Sequence, residues 1–482
     1  MSGGRVVLRG LGWSYAGSVA AVLVLLGYTA CTARLVSPAT FGQYALAATV
    51  ITVFGHFSNA GLATCLLRAD VLTRQLLRGA WLVAAQTGLV CCAAVQGVAL
   101  LAAARWHGSE AVGLLRLLAL QLLLGPAASV ALAALRRIGR ARAAALLETC
   151  GQITGCAAGL TLLGAGWSPW GLAATGPVSC LVLLTGALLA RPRALPDGER
   201  VPPRELLGQS GFFAGLNLAQ SLTNNAPLWC SGALFGPTAT GHLSRASLCT
   251  GIPLTALATG LQRATAPVLA EARAAHSGRV PRQTVHDLMC AASAAAFLGF
   301  GAVAGAGPGG LGLLLGPGWD TAAALLPALA VGAACALLYS AGISLDEVRR
   351  DPRACVTAQS AVVAATLALL ALAALTRSVT VLALATAAPA LGHAVQLKRW
   401  LSQQVVAVRP LLRAHTAHAT AGTALCAAGH LAAPAGALGS TAAVLAVAAA
   451  CWPLRSRLPV VEVVVRRGLI PRRHTRTLTP AT

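Results

Sequence analysis

Few side chains in this sequence are equipped for chemistry, and those few lie inside long apolar runs. Asn217, Gln220 and Asn224 stand at i, i+3 and i+7 within the run 206–234, with Asn225 beside them. That spacing puts the three amides on one helix face. Amides there offer donors and acceptors to a hydroxyl-rich ligand such as a sugar. The same groups also serve as hydrogen-bond glue between helices. Arg245, Arg116 and Glu148 are charged residues inside other runs, and Arg34 stands at the outer end of the first. A buried Arg costs roughly 2.5–3.5 kcal/mol on the lenient membrane-insertion scale, so it calls for an anion or for water. A phosphate-like anion suits its donor fork, and snorkelling to a nearby surface is the other outcome. Glu148 has Arg142 nearby as a partner. His415 and His418 read as structural. No paired acid and base, CxxC motif or Cys/His metal spacing occurs, so no catalytic residue, metal or cofactor is expected.

The elements that must position these groups are membrane helices. The chain has 482 residues, 56% hydrophobic and 10% charged, where soluble domains carry roughly 25% charged residues. Apolar runs of roughly 20 residues recur end to end, the length that crosses a bilayer as a helix. The alternating segments of about ten residues that mark a β-barrel do not occur. The expected class is therefore an all-α polytopic membrane protein with about fourteen spans. They lie near 11–33, 42–67, 79–104, 111–135, 143–166, 169–190 and 206–234, then 241–262, 285–306, 321–344, 354–376, 379–397, 411–432 and 436–454. Nearly all Arg residues and the single Lys398 fall in alternate loops between these runs. The positive-inside rule then places both termini in the cytoplasm of a bacterial inner membrane.

The formal charge of +23 follows from those loops. Nucleic acid is not an expected partner, since its binders gather basic residues on one soluble face. The 14 Cys read as small packing residues. The basic tail at 455–482 is expected either to rest on anionic lipids of the inner leaflet or to be a solvated positive-inside segment.

Two halves of the chain echo each other. Leu11-Gly12-Trp13-Ser14 opens the first run, and Leu207-Gly208-Gln209-Ser210 opens the seventh. Pro38 and Gly42 follow the first run with the same spacing as Pro237 and Gly241 after the seventh. Six runs per copy is an even number, so both copies enter the membrane in one orientation. Parallel repeats of this kind place a substrate site at their interface. The expected organisation is a six-helix lobe at 1–190, a cytoplasmic linker at 191–205 and a second six-helix lobe at 206–397. Two further helices within 398–454 and the tail 455–482 complete it.

These segments also carry a resemblance. Arg34-Leu35-Val36-Ser37-Pro38-Ala39-Thr40-Phe41-Gly42-Gln43-Tyr44 is similar to the R-x-L-S-P-x-x-F-G-x-Y signature of oligosaccharide flippases. These form the polysaccharide-transporter branch of the multidrug/oligosaccharidyl-lipid/polysaccharide exporter superfamily. Gly236-Pro237 through Arg245-Ala246 resembles its G-P-x-x-x-G-x-Y-x-R-A signature. The segment Leu314-Leu315-Gly316-Pro317-Gly318-Trp319 to Pro327 resembles a third. The resemblance implies two lobes related by a pseudo-two-fold axis, alternating access and a polyprenyl-pyrophosphate-linked oligosaccharide as cargo. Glycosyltransferases and a polymerase of the same pathway would be its partners. A multidrug cation antiporter is the first alternative and a membrane-embedded sugar polymerase the second. Many relatives place an Asp late in the seventh span, where this chain has Pro227 and Leu228. If that Asp matters for ion coupling in relatives, this chain couples differently or not at all.

Overall fold

A computed structural model of the chain describes residues 20–59, 62, 66, 72–105, 110–190, 196, 211–275, 280–349 and 351–450. The start of the first run, nearly all of the linker 191–205 and the tail 455–482 lie outside the described residues. The described chain is helical nearly throughout, and no strand occurs among the described residues.

The helices are α1 (Ala20–Leu35), α2 (Pro38–Asn59), α3 (Arg74–Arg105), α4 (Glu110–Arg137), α5 (Ala141–Gly164) and α6 (Trp170–Leu189). They continue with α7 (Gly211–Ala275), α8 (Arg282–Leu315), α9 (Asp320–Val348), α10 (Pro352–Thr376), α11 (Val379–Ser402), α12 (Val408–Leu431) and α13 (Gly436–Ala450). The expected runs are helical over most of their described length, with 206–234 and 241–262 parts of one helix broken at Gly236. Among the described residues eight helices are long and apolar enough to cross a bilayer: α3, α4, α5, α6, α8, α9, α10 and α11. The stretches Arg409–Leu431 and Ala433–Ala449, set at 51° across a short break, pass the same test as a pair. Leu89, Val90, Leu101, Leu189, Leu367 and Leu375 are exposed on these helices. Rows of exposed Leu and Val are what a helix shows when its solvent is lipid. The chain is a multi-pass membrane protein.

Contacts divide the chain into two compact units, Met1–Gly241 and His242–Thr482. In unit 1, α4 is the most enclosed helix. Its Leu114, Leu118, Ala119 and Leu122 pack with Ala47 and Ile51 of α2, Cys91 and Val95 of α3 and Ala173 of α6. The α5–α6 hairpin is closed by small residues. Gly151, Gly155 and Gly159 lie one turn apart on α5, and Cβ atoms there would run into Ser179, Thr175 and Gly171 of α6. Glycine at a four-residue spacing lets two membrane helices meet backbone to backbone. Tyr28 of α1 joins this seam through Thr175 Oγ1, at 2.9 Å.

Unit 2 repeats the device with other helices. Here α9 is the most enclosed, packed on α8 through Leu337, Leu338, Ala341, Met289, Ala296 and Phe300. Gly301, Gly305 and Gly309 of α8 meet Gly422 and Leu425 of α12 and Ala437 of α13. Helices α12 and α13 are thus clamped onto α8. At the α10 start, Asp351 caps the helix by accepting the Ala354 N–H at 3.0 Å, with Pro352 next in line. A carboxylate N-cap followed by Pro is a favoured helix opening.

Candidate functional site

The first two signatures are a matched pair of helix starts. Ser37 Oγ accepts the Thr40 N–H at 3.3 Å, and Pro38 opens α2. Proline suits this place because its ring fixes a helical φ and the missing N–H would be unpaired there anyway. In the second signature α7 breaks at Gly236, which has φ 84 and ψ 180, a region open to glycine alone. Pro237 then restarts the helix. The two starts lie against each other. Gly42 leaves no room for a Cβ against the Pro237 carbonyl, and Gly241 leaves none against the Pro38 carbonyl. In the third signature Gly316 and Gly318 have φ 87 and 86. Their turn buries Trp319, whose ring meets His242 edge-on at 5.4 Å.

The arm of α7 before the break carries the four amides. Trp229 Nε1 donates to Thr49 Oγ1 of α2 at 2.6 Å, and Gly232 lies against Leu46. Asn225 lies on that packed side and turns back on its own helix, donating to the Ser221 carbonyl at 2.8 Å. It is satisfied locally. Gln220 and Asn224 lie together roughly a third of a turn away, half-buried and exposed respectively. Asn217 is helical at this place, and its side chain lies outside the described residues. The structure therefore separates Asn225 from the face that Gln220 and Asn224 share.

The charged candidates part company. Arg245, on α7 beyond the break, is 9% exposed, one turn from the equally buried His242. Arg116 is exposed on α4, with its carbonyl taking the Gln96 Nε2 hydrogen at 3.2 Å. Arg34 is exposed at the end of α1. Glu148 is held by Arg136, whose Nη2 donates to both carboxylate oxygens at 2.6 and 2.7 Å. The partner foreseen from the sequence was Arg142. Arg136 closes α4, and it reaches Glu148 because α4 and α5 meet at that end. From Arg116 to Arg136 α4 rises about 30 Å, so Arg116 and Glu148 belong to opposite ends of the bundle and cannot touch one ligand group.

Sequence reasoning missed a polar network in unit 2. Trp400 Nε1 of α11 donates to Asp346 Oδ1 of α9 at 2.9 Å. Tyr339 of α9 donates its hydroxyl to Gln359 of α10 at 2.7 Å. His393 and Gln396 of α11 and His415 and His418 of α12 are buried beside them. The sequence signal was a His and a Gln three apart inside an apolar run. Among the described residues no group of three His, Cys, Asp or Glu side chains is arranged to hold a metal ion.

Residues 31–303 match the family described as polysaccharide biosynthesis protein. No curated protein sequence matches the chain at a significant level. Among solved structures the chain is similar to the lipid II flippase MurJ in an inward closed conformation. That likeness has a TM-score of 0.64 and 11% identity over 91% of this chain and 99% of that one. It is also similar to a multidrug resistance MATE family transporter of the MOP superfamily, facing inward (TM-score 0.59, 14% identity, 82% and 96% of the two chains). A third likeness is to a MOP superfamily transporter from Pyrococcus furiosus (TM-score 0.57, 13% identity, 83% and 95%). At these identities the likeness speaks to the fold, which is that of MOP-superfamily transporters.

Proposed function

This chain belongs to the polysaccharide biosynthesis protein family, and from that premise we propose that it is a flippase for a polyprenyl-pyrophosphate-linked oligosaccharide. It would carry the lipid from the cytoplasmic to the outer leaflet of the bacterial inner membrane, with both termini in the cytoplasm. Two lobes alternate in access, and no chemical step on the cargo is involved. Glycosyltransferases would supply the cargo and a polymerase would consume it.

The observation that carries this reading is the buried guanidinium of Arg245 in unit 2; the amide face of Gln220 and Asn224 in unit 1 supports it separately. A pyrophosphate takes the fork of an arginine, and sugar hydroxyls take amides. A multidrug reading draws support from fold likenesses at 11–14% identity alone. The test is complementation of a strain lacking this protein. Arg245→Lys keeps the charge but loses the fork, so it should restore export only weakly, and Gln220→Ala with Asn224→Ala should do the same. Full export by both variants would remove the site.

A further inference from the structure

Two buried imidazoles in unit 2 face each other. His393 Nε2 lies 3.4 Å from His415 Nε2. Gln396 fixes which atoms carry hydrogen. Its Nε2 points at the Tyr339 carbonyl, at 3.5 Å, so its Oε1 is the atom 3.2 Å from His393 Nδ1. An amide oxygen only accepts, so His393 carries its hydrogen on Nδ1 and leaves Nε2 bare. His415 then donates from Nε2 into that bare nitrogen. Its own Nδ1 is left as a buried lone pair with no hydrogen-bond partner. The pair thus holds one shared hydrogen and one open basic site.

Every packed element contributes to the surroundings. From α8 come His286, Asp287, Cys290 and Ser293, the last at 3.1 Å from His418 Nδ1. Gln283 donates to Asp287 at 2.8 Å, and His286 lies 3.9 Å from it. From α9 come Tyr339 and Asp346, and from α10 Cys355. The Trp400 ring stands edge-on to His393 at 6.2 Å and donates its N–H to Asp346 on its far side. Asp346 has no exposed surface, and its Oδ2 has no hydrogen-bond partner. Arg349 Nη1 lies 3.4 Å from its Oδ1, so this carboxylate is already ion-paired when a cation arrives on the imidazole pair one indole away.

The backbone is altered at the same place. Helix α8 passes through a π-turn at Ala295–Gly299, and Phe297 within it meets the His415 ring edge-on at 6.4 Å. The Phe297 carbonyl lies against Gly422 of α12. π-turns concentrate where helices carry function. A hydrogen added at His415 Nδ1 leaves the shared hydrogen in place but makes a buried imidazolium, which is costly unless water or a carboxylate reaches it. Admitting either shifts α12 against its neighbours, and the Gly422 contact passes that shift to α8.

We propose that the His393–His415 pair is a proton-binding site that couples the movement of unit 2 to the proton gradient. One proton adds at the open imidazole nitrogen and leaves from the same pair, with no other bond made or broken. The proposal rests on the transport reading above for its purpose, but not for its chemistry.

The test uses the full-length protein in nanodiscs of phosphatidylethanolamine and phosphatidylglycerol. Tryptophan fluorescence is titrated between about pH 3 and 8, a range wide enough to cover a buried imidazole, and Trp400→Phe identifies the share due to Trp400. A Trp400-dependent step is expected in the wild type. It should vanish in His393→Gln/His415→Asn and survive in His418→Asn. Thermal unfolding checks that the double variant is folded; if it is not, His415→Asn alone must displace the step. No step in the wild type, or a step that survives the double variant, overturns the site. Flux of a lipid-linked sugar in proteoliposomes then separates the two claims. Flux that ignores an imposed pH difference removes the coupling. A titration step without any flux leaves the site standing and removes the flippase.

Discussion

Gly42 lies against the main-chain carbonyl of Pro237, and Gly241 lies in the same way against that of Pro38. Each glycine stands four residues after its own proline and touches the proline of the other copy. Reciprocal contact of this kind is what a two-fold relation produces: residue i meets j, and j meets i. The helix starts can approach so closely because neither glycine has a side chain. Gly42→Ala or Gly241→Ala should each cost about 1–3 kcal/mol, the usual result of overpacking. Gly251→Ala, with nothing within 4 Å, should not. Thermal unfolding of the purified protein in detergent reads the difference.

The glycine seam of α5 and α6 makes a second prediction. Gly155→Leu would drive a side chain into the Thr175 carbonyl and Ser179, and the hairpin must open to admit it. Lower yield of folded protein and faster proteolysis between residues 164 and 170 are expected. Gly164→Ala, where no atom lies within 4 Å, should leave both unchanged.

The Arg136–Glu148 pair is a matter of ends rather than of a transport path. Its side chains are 43% and 42% exposed, so solvent screens the attraction. A double-mutant cycle on Arg136→Ala and Glu148→Ala should return a coupling of about 0.2–1 kcal/mol. Glu148→Gln should keep transport near the wild-type rate. Loss of transport in Glu148→Gln with unchanged stability would return Glu148 to the substrate path.

Asp351 lies between α9 and α10, outside the spans, and its carboxyl is held below the ordinary value of 3.8. Burial pushes it up, but the Ala354 N–H and the Arg399 guanidinium at 3.1 Å outweigh that push. A depressed native value stabilises the fold above the unfolded value and loses that stabilisation as pH falls through the native one. Asp351→Ala should therefore cost about 1 kcal/mol at neutral pH, as a lost N-cap does. The deficit relative to wild type should shrink below pH 3.8. A deficit constant from pH 7 to pH 3 would contradict it.

Much of this was legible because membrane helices declare themselves in one dimension. Apolar length marked the helices, and Ser37-Pro38 and Asp351-Pro352 marked two helix starts. The glycine seams were not legible: Gly155 reveals its purpose only once Thr175 and Ser179 lie opposite. Asn225 shared a stretch with Asn224 but faces the other way, bonded to Ser221, since one residue turns a helix by about 100°. Arg136 replaced Arg142 as the foreseen partner of Glu148 because helix ends meet in space rather than in sequence. The imidazole pair was hidden most completely. His393 and His415 sit on different helices, and no local spacing links either to Asp346 or to the π-turn of α8.

The central claim is that this chain moves a lipid-linked oligosaccharide outward, and sidedness of the carrier tests it most directly. Cells lacking the protein would be labelled in the lipid-linked sugar pool and split into inside-out and right-side-out vesicles. A glycosidase that cannot cross the membrane then reports the leaflet. The account predicts complete oligosaccharide-lipid trapped on the cytoplasmic leaflet, released by the wild-type protein and only weakly by Arg245→Lys. An unchanged distribution between leaflets, with altered tolerance to cationic drugs instead, would contradict it and point to a multidrug transporter.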